Sequence, residues 1–536
     1  MAEKKVLVDS EKIKMAIRTG LPLTIITYTL PHDMEIYMGD ILAAFLSELG
    51  QNHMVQYLTY CQQELITNAK KANTKRIYFR EKKLDINNEA DYNEGMKDFK
   101  RNTLNNIAYY LEKQKRAGYL FLGFFCLLYA VACLIWVREL PYYPSGDQLN
   151  ATAAAHYHLD GNFIMLKKTG YLGKFPYQKG LTLIYELLFS LFGHFCYPAA
   201  AKIHILLGVI TMIFGYLFVE ETASRSICKL LYCPLVTFCA PYLILTPYTY
   251  GDLPAICFGT VLFWAMLRFS RTLKARYAVL GCVMSALSLM VRMHSWILFI
   301  AVLIGMTLVS VQRRKIAPIL VGILIMVSAF GTIKLIDYTY YLRSGYEITE
   351  GAPMILSLAM GMQDNEGGPG TYNNYQTETL SLVDYDNDAA AEIAKENLRE
   401  NLTRFKNDPS YARWFFTTKL TMQWAEPLFE TLMSTHSFDE ELPVPEWIER
   451  VYSGDLREKL IVFADRYQTI VYLGFLCFLP AFWKRRKENT ANWIPLITIV
   501  GGFLFSAIWE AQCRYVLPYY VFMLMYVPEG ISAVAN

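Results

Sequence analysis

The sequence predicts a mainly helical protein that crosses a membrane many times, and three observations predict it. Hydrophobic residues make up 54% of the 536 positions and aromatic ones 15%, with a mean hydropathy of +0.21. Nearly charge-free stretches recur along the chain, the clearest at residues 118–137; about 20 apolar residues in a helix span the roughly 30 Å hydrocarbon core. Basic clusters stand at the ends of those stretches, where the rule that keeps Lys and Arg on the cytoplasmic side puts them. A net charge of +3 is too small to argue for nucleic acid as a partner. Most of the 11 cysteines lie in apolar stretches, where packing explains them better than a disulfide framework does.

Residues 1–116 read as a small cytoplasmic accessory domain, α or α/β. No secretory signal peptide opens the sequence, so the span at 118–137 is expected to serve as the targeting signal. Residues 21–30, rich in Thr, Ile and Tyr, fit a strand or a buried helix, and periodicity does not separate the two. Residues 54–71 and 92–113 repeat apolar positions at three and four, as amphipathic helices do. In the first of these, Glu64 and Asn68 look like the N-box of the histidine-kinase-type ATPases, where the glutamate orients water and the asparagine holds magnesium. Residues 74–116 contain no Asp-x-Gly-x-Gly loop to complete a nucleotide pocket, and the pair is read as structural.

The chain is organised around the loop that follows the first span, Pro141 to Gln148. Lys113, Lys115 and Arg116 on the left flank orient that span so that Asp147 emerges on the outer face, and the prolines at 141 and 144 stop the helix. A carboxylate held there can take a proton from an acceptor hydroxyl while a lipid-linked donor reaches it from the bilayer. The plainer alternative is a loop aspartate that only faces water. Beyond it stand His156, His158 and Asp160. Positions 156 and 160 would share a helix face and His158 would not, and two ligands do not make a metal site.

Further apolar segments run 181–195, 199–219, 227–247, 253–267, 276–291, 295–311, 316–336, 467–483, 492–509 and 515–528. Basic clusters at Arg225/Lys229, Arg268/Arg271/Lys274/Arg276, Arg313/Arg314/Lys315 and Lys484/Arg485/Arg486/Lys487 are placed in the cytoplasm. This parity makes 181–195, short and carrying Glu186, an outer-surface or re-entrant helix. It gives about 10–11 transmembrane helices with both termini cytoplasmic. It also collects Asp147, residues 248–252, Arg292, His294, residues 338–466 and residues 510–514 on the outer face. The layout expected is a 1–116 accessory domain, a 117–337 bundle with a catalytic outer loop at 138–180, a 338–466 outer-face region, and C-terminal spans in 467–536. Within the outer region, residues 361–370 hold four glycines and Pro369, which fits a lid or substrate loop. An amphipathic helix follows, with Ile393, Ala394, Leu398, Leu402 and Phe405 on one face. The aromatic belt from Trp414 to Trp424 encloses Lys419, read either as snorkelling or as a cation facing a lipid phosphate.

Taken together, Asp147, Tyr250-Gly251-Asp252-Leu253-Pro254, the Lys-x-x-x-x-Trp-x-x-Pro pattern of Lys419, Trp424 and Pro427, and the Glu-x-x-Arg-Tyr of Glu510, Arg514 and Tyr515 carry a family likeness. Residues 118–536 resemble the GT-C superfamily of polytopic glycosyltransferases, and within it the bacterial relatives of the protein O-mannosyltransferases and of the lipid A aminoarabinose transferase. The resemblance implies an integral protein of the bacterial plasma membrane with its active site on the outer face. It implies a polyprenyl-phosphate sugar donor and an acceptor in the cell envelope. In that family the first-loop carboxylate is the catalytic acid/base residue, and Asp147 stands in its place. Asp252 matches an acidic residue before a proline and would orient Asp147 or the acceptor. Arg514 and Lys419 would face the donor phosphate, with Glu510, Tyr250, Trp424, Arg292 and His294 as further substrate-side candidates. Glu510 and Arg514, four residues apart, would alternatively pair with each other. No cofactor is required by this reading; a divalent metal ion is left open, and Gln148, where many relatives carry a second acid, argues against one at this loop. The rival readings are a transporter or flippase of a lipid-linked sugar, which would need no base, and a membrane-anchored sensor, which would need a nucleotide pocket or phosphoacceptor in residues 1–116.

Overall fold

The computed structural model describes residues 10–19, 32–103, 107–485 and 490–534. The chain divides into two compact units, Met1–Phe121 and Leu122–Asn536. The first consists, among its described residues, of helices Ser10–Thr19, His32–Glu48, Val55–Glu81 and Glu89–Thr103, with the last leading into Ile107–Glu139. A small core of Tyr78, Phe79 and Phe99 locks the Val55–Glu81 and Glu89–Thr103 helices together. Asp85 and Asn88 order the turn between them by accepting from the backbone N–H groups of Asn87, Ala90 and Asp91, the local side-chain bonding that makes these residues good turn and cap formers. Glu64 and Asn68 lie one turn apart and both are exposed. The 21–30 stretch, left open between strand and helix, lies outside the described residues.

The second unit is a helical membrane bundle. Among the described residues, seven helices are long and apolar enough to cross a membrane: Arg116–Glu139, Tyr197–Thr222, Asp252–Thr272, Ser295–Arg313, Ala317–Ser344, Asp455–Lys484 and Thr490–Ile508. The protein is therefore an integral membrane protein, mainly α. The count of about 10–11 uninterrupted crossings is not met among the described residues, and proline is the main physical reason. Segment 227–247 breaks into Ile227–Thr237 and Ala240–Ile244, because Pro241 lacks an N–H and its ring collides with the carbonyl of residue 237. Segment 515–528 breaks into Leu517–Met523 and Val527–Val534 ahead of Pro528 in the same way. Segment 276–291 is a single apolar helix of 17 residues, Ala275–Val291, about 25 Å long and at the lower end of what spans the hydrocarbon core.

Segment 181–195 forms helix Lys179–Phe192, at 14 residues only about 21 Å long. Its buried polar side chains are paired: Glu186 accepts from His158 at 2.7 Å and Tyr340 at 2.6 Å and meets Arg343 at 2.6 Å, and Lys179 bonds Asp337 at 3.0 Å. Residues 338–466 fold mostly into short helices, with Met354–Gly361, Asn387–Asn407 and Pro409–Trp424 the ones that matter for the site. The latter two start where the sequence says they should. Asp386 accepts from the N–H groups of Asp388 and Ala389, and Asp408 from those of Ser410 and Tyr411, with Pro409 in the first helical position.

Candidate functional site

Two loops carry the two aspartates. Gly146 (φ +56°) turns the chain out of the proline-rich loop, and Asp147 opens helix Asp147–Leu159, where the positive end of the helix dipole favours a carboxylate. Asp252 likewise opens helix Asp252–Thr272. The next residue after Asp147 fastens the loops together. Buried Gln148 uses one amide oxygen to accept from the Tyr142 hydroxyl, the Thr249 N–H at 2.8 Å and the Thr249 hydroxyl at 3.0 Å. Gln148→Ala strands those three donors, and at about 1–3 kcal/mol for an unsatisfied buried group a lowered thermal midpoint of the detergent-purified protein is expected.

Arg292 reaches Asp252 because position 251 has no side chain. A Cβ at Gly251 would run into the Val291 carbonyl, so only glycine lets the two backbones approach this closely. Arg292 then hydrogen-bonds the Asp252 carboxylate, with its guanidinium 4.6 Å from the Tyr250 ring centre and 5.3 Å from that of Tyr515. Arg514 approaches the other oxygen of the same carboxylate at 3.9 Å. It also donates to Ser434 at 3.4 Å and Gln512 at 3.2 Å, and lies over Tyr248 at 4.7 Å. Two nearly buried guanidiniums thus share one buried carboxylate. Asp252 Oδ2 and Arg514 Nε have no hydrogen-bond partner among the described residues, and buried polar atoms left so call for a partner.

Asp147 itself is exposed, and its charge acts on Tyr177, Tyr250, Tyr372, Glu510 and Arg514. Residues 510–514 do not form the helical turn that would pair Glu510 with Arg514; Gln512 is extended and Cys513–Tyr515 is a single tight turn, which sends Arg514 to Asp252 instead. Burial, and then the Asp147 charge, pushes the Glu510 carboxyl up from its ordinary 4.5 to about 7. A carboxyl raised on folding contributes stability that is complete below about 4.5 and lost as the pH rises through about 7. The wild type is therefore expected to lose thermal stability between pH 5 and pH 7, and Glu510→Gln to flatten that slope.

Lys419, placed beside a donor phosphate by its motif, is wholly buried. Its amine donates to the Gly361 carbonyl and lies under Gly370, where a Cβ would come within 2.7 Å of Nζ. The Gly370 carbonyl in turn accepts from Ala511 N–H at 2.7 Å. Lys419 therefore ties the two feet of the 361–370 loop to the segment carrying Glu510. Burial, opposed by Glu510, lowers its amine to about 7. Trp424 faces away from the aspartates, donating to Ser506 at 3.0 Å and packing on Phe503. His294 lies behind Arg292 between Phe505 and Tyr515, where burial first and Arg292 second press its imidazole down to about 3, a neutral packing residue.

Asp147, Asp252, Arg292, Arg514, Tyr250 and Glu510 thus form one centre. Glu430 belongs at its edge and was not singled out in the sequence. Its backbone is left-handed (φ +55°), as is that of Phe429 before it (φ +50°), a strained conformation for residues with a Cβ. One carboxylate oxygen accepts from Cys513 Sγ at 3.1 Å, the other is buried without a hydrogen-bond partner among the described residues, and burial raises its carboxyl. The signal available was Glu426 and Glu430 bracketing Pro427 in an otherwise apolar stretch. A divalent metal fits this centre poorly: Gln148 is fully engaged, and Asp147 and Glu510 interact with Arg514 and Arg292, guanidiniums that compete with a cation for them.

No protein-family model matches the chain. Over 118 residues it is 55% identical to a protein of Treponema pallidum (strain Nichols) described as an uncharacterized protein. The matched stretch takes in 22% of this chain and 23% of that protein, so the chain spans less than a quarter of the length of the relative it matches.

Proposed function

We propose that the protein is a membrane glycosyltransferase of the GT-C type that moves a sugar from a polyprenyl-phosphate donor to an acceptor outside the cytoplasm. The observation that carries the reading is an exposed carboxylate, Asp147, whose charge reaches Arg514, one of two guanidiniums held by the buried Asp252. Arg presents the planar fork that grips a phosphate, and Arg514 Nε, buried without a hydrogen-bond partner among the described residues, has a donor to offer one. In this reading Asp147 takes the proton of the acceptor hydroxyl, whose oxygen bonds to the anomeric carbon as the bond to the donor phosphate breaks, with inversion. The leaving polyprenyl phosphate keeps the bonding electrons and stays against Arg514 and Arg292. Asp252 holds both guanidiniums in place and is a positioning residue. Lys419 acts on the loop, not on the phosphate.

The test is transfer of radiolabelled sugar from a panel of polyprenyl-phosphate sugars to membrane acceptors, by wild type and Asp147→Asn at equal expression. Transfer by the wild type that is lost in the variant is expected. Equal transfer by both removes Asp147 from the chemistry, and none with any donor removes the transferase reading.

A further inference from the structure

The helix that starts at Asp147 ends in a second cluster, about 14 Å further along its axis at His156. His156 and Asp160, four residues apart, share a face, with Nε2 and Oδ2 3.6 Å apart. His158, the residue between them, points elsewhere and is bonded to Glu186. The third member comes from another segment: His194 Nδ1 is 2.7 Å from His156 Nδ1. One ligand atom from each of His156, Asp160 and His194 lies within 4.8 Å of the other two. His194 is presented by a turn in which both neighbours, Gly193 (φ +97°) and Phe195 (φ +56°), are left-handed. The Phe195 ring packs 4.5 Å from that of His156 and closes one side of the cluster, while Asp160 and His194 are exposed on the other.

We infer that His156, His194 and Asp160 bind a divalent transition-metal cation of the zinc class, with water in the fourth position. Two imidazoles and a carboxylate with one open place form a donor set suited to such ions. The cluster also sits at the C-terminal end of helix Asp147–Leu159, where the helix dipole favours a cation. Nitrogens bound to one tetrahedral ion stand about 3.3 Å apart, so the two rings part slightly to admit it. The ion clips the far end of the Asp147 helix to the turn before helix Tyr197–Thr222, and it stands apart from the reacting centre. The inference does not depend on the transferase reading.

Zinc itself is the probe. Full-length protein purified in detergent is stripped with chelator, equilibrated with Zn2+, desalted and assayed for metal. About one zinc per chain is expected for the wild type, and its thermal midpoint rises with zinc. His156→Ala and His194→Ala lose both the metal and the rise. Asp160→Asn, on an exposed side chain and so readable even where the histidine variants aggregate, weakens binding by about tenfold or more. A wild type that retains no zinc, or variants that retain as much as the wild type, overturns the inference.

Discussion

Asp252→Ala is expected to be the most damaging single change in the membrane unit. The carboxylate is 1% exposed and faces two guanidiniums that are 10% and 9% exposed. Removing it leaves two like charges buried side by side without the carboxylate that pairs with both. Breaking a buried pair from one side costs about 3–5 kcal/mol, because the remaining charge loses its partner and cannot regain water. The thermal midpoint in detergent should fall steeply. Asp252→Asn/Arg292→Gln, which removes one charge of each sign, should recover a large part of the loss, since apolar or neutral replacement of both members is far milder than loss of one. A double variant no more stable than Asp252→Ala would show that Arg292 and Asp252 do not depend on each other.

Asp147→Asn should do the opposite: leave the fold intact and remove the reaction. The side chain is exposed, and the amide is nearly isosteric, so a change within about 0.5 kcal/mol in stability is expected. An amide cannot accept the acceptor's proton, and loss of a general base costs about 10²- to 10⁴-fold in rate. Binding of the donor to Arg292 and Arg514 should persist, because neither arginine takes its ion pair from Asp147. A transporter would behave differently, since moving the donor across the bilayer requires the same cations and no base. Unimpaired donor movement with no transfer in either protein would favour that alternative.

The spans were legible because lipid demands length and apolarity, and both are written consecutively in the sequence: residues 118–137 and 316–336 are found by counting. Breaks were less legible. Pro241 and Pro528 were visible, but helices in membranes tolerate proline when neighbours satisfy the freed backbone groups, and nothing local says whether they do. The membership of the centre was only partly legible. Asp147, Asp252, Arg292 and Arg514 could be gathered on one face from parity, yet which arginine meets which carboxylate depends on Gly251 packing against Val291, a contact between distant segments. Lys419 was misplaced for a related reason. Its partner is the backbone carbonyl of Gly361, and carbonyl acceptors have no sequence signature. His194 stands 38 residues from His156, beyond the close spacing that marks a ligand set in sequence.

The arrangement of residues 361–370 bears on how this protein could be re-engineered. Its feet are fixed: a Cβ at Gly361 would strike the Trp509 carbonyl carbon at 2.5 Å, and Gly370 (φ +74°) is hemmed in by Lys419 and Gly361. Its tip is exposed at Asp364, Glu366 and Gly367, and Asn365 orders it, accepting from the Gly367 N–H at 3.0 Å and donating to the Thr371 carbonyl at 2.8 Å. Lengthening the loop at Asp364 or Glu366 while keeping Asn365 and the four glycines costs little in loop-closure entropy, about 0.6 kcal/mol per doubling of length. Such insertions leave the Lys419 and Ala511 contacts at the feet in place, which makes the tip the position where this unit accepts new sequence with the least disturbance.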